Sequence, residues 1–194
     1  MTAAAHEARA NDRSIFGFWV YLMTDLIMFA GLFAAFAVLR NNTFGGPAGH
    51  DFFNLPFVLE ETMILLTSSF SCGLMTLAAN RGDKKQTFLW LAATFVLGVS
   101  FLTLELGEFS RLVAAGNGWT RSAFLSSYFA LVGTHGLHIA VGLLWIAVAA
   151  VQIWIRDLTP FTASKLNRFA LFWHFLDLVW IFIFTIVYLM GAAL

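Results

Sequence analysis

The sequence of 194 residues predicts an all-helical, polytopic membrane protein, a bundle of five transmembrane helices. Three observations predict it. Hydrophobic residues make up 60% of the chain and charged residues only 11%, whereas an ordinary soluble domain carries charges at about a quarter of its positions. The apolar residues are gathered into runs long enough to cross a hydrocarbon core of about 30 Å, which takes about 20 helical residues. Pro47, Pro56 and Pro160 are the three prolines, and all lie outside those runs, so nothing in the runs removes a helical hydrogen bond. Composition also narrows function. Eleven Lys and Arg balance eleven Asp and Glu, so no basic excess points to nucleic acid. The one cysteine, Cys72, excludes an intrachain disulfide, and the lack of a C-x-x-C-H run excludes covalent c-type haem attachment.

The first span is expected at Ile15–Leu39, after a polar tail at residues 1–14, MTAAAHEARANDRS. It is too long for a signal-peptide core and has no small-residue cleavage site, so it is expected to be retained. It carries Asp25, and it places small residues at four-residue spacing, Ala30 with Ala34 and Gly31 with Ala35, which suits close helix packing. The second span, Phe57–Ala79, opens with Glu60 and Glu61, and the third, Thr87–Phe109, ends with Glu105 and Glu108. The fourth, Ser126–Ile155, holds His135, His138, Gly133 and Gly142; being longer than one crossing needs, it is expected to tilt or extend past the headgroups. The fifth, Phe169–Gly191, follows a connection at Arg156–Arg168 and carries His174 and Asp177. No connection is large enough for a separate soluble unit, so residues 15–194 are expected to form a single domain. Trp19, Trp119, Trp154 and Trp173 fall near span ends, where indoles anchor at the interface.

Orientation follows from the cations outside the spans, because Lys and Arg are retained on the cytoplasmic side. Arg9, Arg13, Arg81, Lys84, Lys85, Arg156, Lys165 and Arg168 fall on one side, against Arg40, Arg111 and Arg121 on the other. The N-terminus is therefore expected in the cytoplasm and the C-terminus in the periplasm.

Ionisable residues inside the spans each cost a few kcal/mol in hydrocarbon unless matched. They are Asp25, Glu60, Glu61, Glu105, Glu108, His135, His138, His174 and Asp177, and no Lys or Arg joins them at depth. Each acid is then expected to be protonated, paired with a histidine or matched by a neighbouring subunit, and in every case to face away from lipid. Spacing puts Glu105 with Glu108, His135 with His138, and His174 with Asp177 on single helical faces. At about 1.5 Å per residue, Asp25, His135 and His138 are expected near mid-membrane, His174 and Asp177 in the cytoplasmic half, and the four glutamates at the outer surface close to Arg111.

The pairs allow two sharper readings. A di-metal site of the carboxylate-bundle kind needs a Glu-x-x-His pair on each of two helices, and the chain has none, so no metal is assigned. For His135 and His138, hydrogen bonding to neighbouring helices or headgroups is the expectation. A proton path through Asp25, His174 and Asp177 is the second; five spans without an inverted repeat argue against a stand-alone transporter but leave local proton supply to a partner open. Three intramembrane histidines cannot ligate two haems and a copper, so no redox centre, catalytic residue or cofactor is expected in this chain.

GTHGLHIAVGLLWI (Gly133–Ile146) and WHFLDLVWIFIFTIVYLMG (Trp173–Gly191) closely resemble the two signature helices of subunit III of haem-copper terminal oxidases. IFGFWVYLMTDLIMFAGLFAAF is similar to that family's helix with a mid-membrane acid, LPFVLEETMILLTSS to the start of the next, and LELGEF to the glutamate-bearing end of a third. Resemblance covers Ile15 to Gly191. Long members have seven helices, and this chain begins at what resembles their third; the five-helix form is similar to that of bo-type ubiquinol oxidases, through IFGFWVYLMTDL, GGPAG, LPFVLEET, FALVGTHGLH and LFWHFLDLVWI.

The resemblance implies an accessory, cofactor-free subunit of a bacterial inner-membrane enzyme that oxidises ubiquinol, reduces oxygen to water and pumps protons. Haem and copper would belong to the catalytic subunit I, against which it packs together with subunits II and IV, and phospholipid would occupy a cleft between its helices. It implies support for turnover stability and for proton uptake by the neighbour. His135, His138, His174 and Asp177 match signature positions, Asp25 falls where longer relatives carry a carbodiimide-reactive glutamate, and Glu108 where they carry one near the outer surface. Aspartate at position 25 shortens that reach by a methylene. A cytochrome c or menaquinol oxidase subunit III is the alternative, since the donor site belongs to other subunits; a membrane di-metal enzyme or proton transporter is the alternative of another class.

Overall fold

The computed structural model describes residues 3–43 and 55–193, all of whose regular structure is helical. GGPAG, at residues 45–49, lies outside them. The long helices are α1 (Ala3–Leu39), α2 (Leu55–Asn80), α3 (Lys84–Ala114), α4 (Ala123–Arg156) and α5 (Pro160–Ile183), and five segments are long and apolar enough to cross a membrane, Arg13–Leu39, Leu55–Asn80, Lys84–Ala114, Ala123–Ile155 and Phe161–Leu189. α2, α3, α4 and α5 close a four-helix ring, each touching the next and α5 returning to α2, while α1 lies outside the ring on α4 and α5.

Local chemistry explains the boundaries. Asp83 caps α3 by accepting the Gln86 N–H at 3.1 Å, and Ser122 caps α4 through the Leu125 N–H at 3.1 Å. Gly82 before α3 and Gly116 after it both have φ in the left-handed region, at 74° and 78°, where a side chain would be strained. α1 begins earlier than the first apolar run because Ala3, Ala4, Ala5, Ala8 and Ala10 are strong helix formers.

The fifth helix departs from expectation at both ends. It starts at Pro160 and not Phe169, because Thr159 accepts the Thr162 N–H at 3.2 Å and Pro160 occupies the first helical turn. Its last part is not an uninterrupted α-helix: Phe184–Leu189 is a π-helical turn, followed by the short α6 (Met190–Ala193). There Thr185 Oγ1 donates to the Ile181 carbonyl at 2.8 Å, a back-bond that distorts helices.

Trp173 also departs from expectation. It is no interfacial anchor: it is 1% exposed, lies inside the ring against Gly98 and Gly142, and donates its indole N–H to Ser68 Oγ at 3.2 Å. Trp19, Trp119 and Trp154 are exposed, as an anchoring role requires. Among the small residues, Gly142 is a packing position, whereas Gly31 faces open space. Hydroxyls link the helices further, Trp180 to Thr62 at 3.0 Å and Ser71 to Thr94 at 2.9 Å. Interhelical bonds of this kind contribute on average about 0.6 kcal/mol each in a bilayer.

Candidate functional site

Among the described residues, the buried ionisable side chains and their partners form three groups, two at mid-membrane and one at the end of the bundle where α2 and α4 begin. Asp25 lies near the middle of Arg13–Leu39, and His135 and His138 near the middle of Ala123–Ile155. His138 Nε2 faces Asp25 Oδ2 at 3.9 Å, joining α1 to α4. His138 Nδ1 lies 2.7 Å from the Thr134 carbonyl, which can only accept, so Nδ1 carries a hydrogen.

His135 does not make the bonds expected of it. It is fully buried, neither ring nitrogen has a hydrogen-bond partner, and it stacks on Trp180 at 5.2 Å with the edge of Phe101 at 6.0 Å. The signature histidine is thus part of an aromatic core that holds α3, α4 and α5 together.

The second mid-membrane group joins α2 to α5. Because α5 begins at Pro160, His174 falls halfway along Phe161–Leu189 and not toward one surface. Its Nδ1 is 2.7 Å from Ser69 Oγ, and Asp177 lies one turn on, with Oδ1 buried and unpartnered. Ser69, Gly73, Phe70, His174 and Asp177 border a shallow depression of about 390 Å³ on the outside of the ring.

The glutamates part company. Glu60 is exposed, as expected near a surface. Glu61 and Glu105 are 0% and 1% exposed, inside the protein, and both oxygens of each lack a hydrogen-bond partner. Glu61, Glu105 and Glu108 each bring a carboxylate oxygen within 4.8 Å of the others, which among the described residues is the grouping able to hold a metal ion. All its donors are oxygens, which suits a hard cation or shared protons and not the histidine-rich sites considered from sequence. The π-turn places the Tyr188 hydroxyl 2.9 Å from that of Tyr128 and 3.4 Å from Glu108 Oε2. Arg111, close to these acids in sequence, lies over the ring of Phe57 at 5.2 Å.

Sequence reading missed Ser69, Thr62, Tyr128 and Tyr188. A hydroxyl in an apolar helix signals nothing alone, since it can bond its own helix, as Thr62 does with the Val58 carbonyl at 2.8 Å.

Comparison with known proteins agrees with this arrangement. The family model for cytochrome c oxidase subunit III matches residues 2–192. The chain is 54% identical over 188 residues to cytochrome bo(3) ubiquinol oxidase subunit 3 of Pseudomonas aeruginosa, covering 97% of this chain and 89% of that one. It is 42% identical to quinol oxidase subunit 3 of Bacillus subtilis, over 97% and 92% of the two chains. With cytochrome c oxidase subunit 3 of Bacillus sp. strain PS3 it shares 44% identity over 91% and 86%. A five-span helical bundle matched by the family model along nearly its whole length belongs to the cytochrome c oxidase subunit III family.

Proposed function

We propose that this chain is the accessory third subunit of a proton-pumping haem-copper quinol oxidase in a bacterial inner membrane, with ubiquinol as donor. The observation that carries the reading is the 54% identity, over 97% of the chain, to a ubiquinol oxidase subunit 3. In this reading haem and copper reside in the catalytic subunit I, and the chain packs against it alongside subunits II and IV. Its own residues support the neighbour without taking part in electron transfer. His138 is committed to Thr134 and Asp25, and His135 to an aromatic cage, which fits a structural role for both better than haem or copper ligation.

Residues 15–194 act as one membrane domain, with the N-terminus on the cytoplasmic side, where Lys84, Lys85, Lys165 and Arg168 cluster. A cavity of about 480 Å³ at that end, bordered by Ile15, Ala79, Leu171 and Arg168, supports a bound phospholipid, offering a cation for the phosphate and apolar walls for the chains. Asp25, which faces His138 between α1 and α4, is the group through which the subunit aids proton uptake.

Turnover of the purified complex with ubiquinol, menaquinol and reduced cytochrome c tests the donor. Fastest turnover with ubiquinol is expected. The 44% identity to a cytochrome c oxidase subunit 3 favours cytochrome c as the second reading, and preferential oxidation of cytochrome c would replace the first.

A further inference from the structure

Glu61 on α2 and Glu105 and Glu108 on α3 bring carboxylate oxygens within 4.8 Å of one another, twice the length of a calcium–oxygen bond of about 2.4 Å. Oxygens at that spacing can share one ion. Two of the three carboxylates are sealed inside the protein, Glu61 0% and Glu105 1% exposed, and all four of their oxygens lack a hydrogen-bond partner. The donors standing nearby are used elsewhere. The Tyr188 hydroxyl is bonded to that of Tyr128 and donates to Glu108. Arg111 lies over the Phe57 ring, and among the described residues no cationic side chain forms an ion pair with any of the three acids. Burying one carboxylate without a matching charge or donor is unfavourable, and burying three side by side is more so. Side chains in that state, turned toward one point, call for a ligand that brings positive charge.

We propose that Glu61, Glu105 and Glu108 form a binding site for one hard divalent cation, calcium, which ties α2 to α3 at this end of the bundle. The donor set selects the ion. No histidine or cysteine belongs to the group, so copper and zinc are poorly served. Paired carboxylate oxygens on three glutamates approach the roughly six to eight ligands that calcium takes, whereas magnesium gives up its water reluctantly and suits so buried a group less well. A route in exists. Glu61 and Glu108 each lie only about 9 Å of helical rise from the ends of α2 and α3, and Glu108 is partly exposed, so the ion enters from the aqueous phase past Glu108. The site does not depend on the reading of the chain as an oxidase subunit.

The test uses the protein purified in mild detergent through a tag on this chain, with whatever accompanies it, after washing with a calcium chelator. Radioactive calcium in equilibrium dialysis is expected to show one more bound ion per chain in the wild type than in Glu105→Gln. Glu105→Gln keeps the shape of the side chain and removes its charge, so without calcium it is expected to be at least as heat-stable as the wild type. Added calcium should raise the thermal midpoint of the wild type alone. Terbium, a hard cation that replaces calcium and whose emission is excited through nearby aromatic rings such as Tyr188, reads the site directly. Its emission is expected in the wild type, displaced by calcium, and lost in Glu105→Gln. Equal calcium binding by wild type and variant, or a wild-type midpoint that ignores both chelator and calcium, would overturn the proposal in favour of protons shared among the three acids. Should Glu105→Gln be absent from membranes, Glu108→Gln, at the exposed edge, decides through an affinity for calcium lowered about tenfold or unchanged. Should that chain be absent too, terbium emission from the wild type decides, and emission that calcium does not displace overturns the site.

Discussion

Substituting Gly142 by alanine tests how the ring is held together. Trp173 sits between two glycines, Gly98 on α3 and Gly142 on α4. A Cβ at Gly142 would lie 2.7 Å from Trp173 Cζ3 and 3.0 Å from Cε3, where ordinary carbon contacts are about 3.5 to 4.0 Å. The indole cannot retreat, because a Cβ at Gly98, on the other side, would already lie 2.9 Å from Cη2, and its N–H is bonded to Ser68. Overpacking costs about 1 to 3 kcal/mol, and a ring clamped on two sides belongs at the upper end, about 3 kcal/mol. Gly31→Ala is the control. It meets nothing within 4 Å, and alanine is the better helix former by about 1 kcal/mol. Heating the detergent-solubilised complex and following retention of the chain by size exclusion should show a marked loss for Gly142→Ala and none for Gly31→Ala. Adding Trp173→Phe to Gly142→Ala should recover part of the loss, with a coupling of about 1 kcal/mol or more. Equal stability of the two alanine variants, or strict additivity in the double variant, would refute the clamp.

Three further outcomes are expected. Asp25→Ala should lower thermal stability of the complex by about 0.5 to 2 kcal/mol, while Asp25→Asn, which keeps a polar group facing His138, should stay near wild type; equal losses would show that the contact between α1 and α4 does not depend on it. Tyr188→Phe should cost about 1 kcal/mol in the same assay, because the hydroxyl links Tyr128 to Glu108, and no loss would show that the π-turn does not serve that link. Asp157 has φ 60° and ψ 177°, a region for glycine alone, where other residues are strained by about 1 to 3 kcal/mol. Its ion pair with Lys84 is exposed and contributes at most about 1 kcal/mol, so Asp157→Gly should raise the thermal midpoint; a fall would show that the pair outweighs the strain.

The spans were legible because hydrocarbon thickness sets a length that a run of apolar residues either meets or does not. The start of the fifth was misplaced because Lys165, Asn167 and Arg168 break the hydropathy there, although Thr159 followed by Pro160 is a helix-start signal readable in the chain. That displacement carried two errors with it, setting His174 toward one surface and turning Trp173 into an anchor. Counting along the helices set Glu61 and Glu105 near the outer end of the bundle. Counting gives depth and not direction, and both side chains turn into the ring. The partners of the site were beyond reach for another reason: Ser69 meets His174, and Ser68 meets Trp173, across 105 residues of chain. The π-turn left no mark either, since no proline or glycine announces it.

The most direct measurement of the central claim is purification through a tag on this chain in mild detergent, followed by a reduced-minus-oxidised spectrum and metal analysis of the complex and of the separated subunit. Haem and copper in the complex and none in the separated chain is the expected result. A chain that purifies alone, or that keeps a redox metal of its own after separation, would contradict the account.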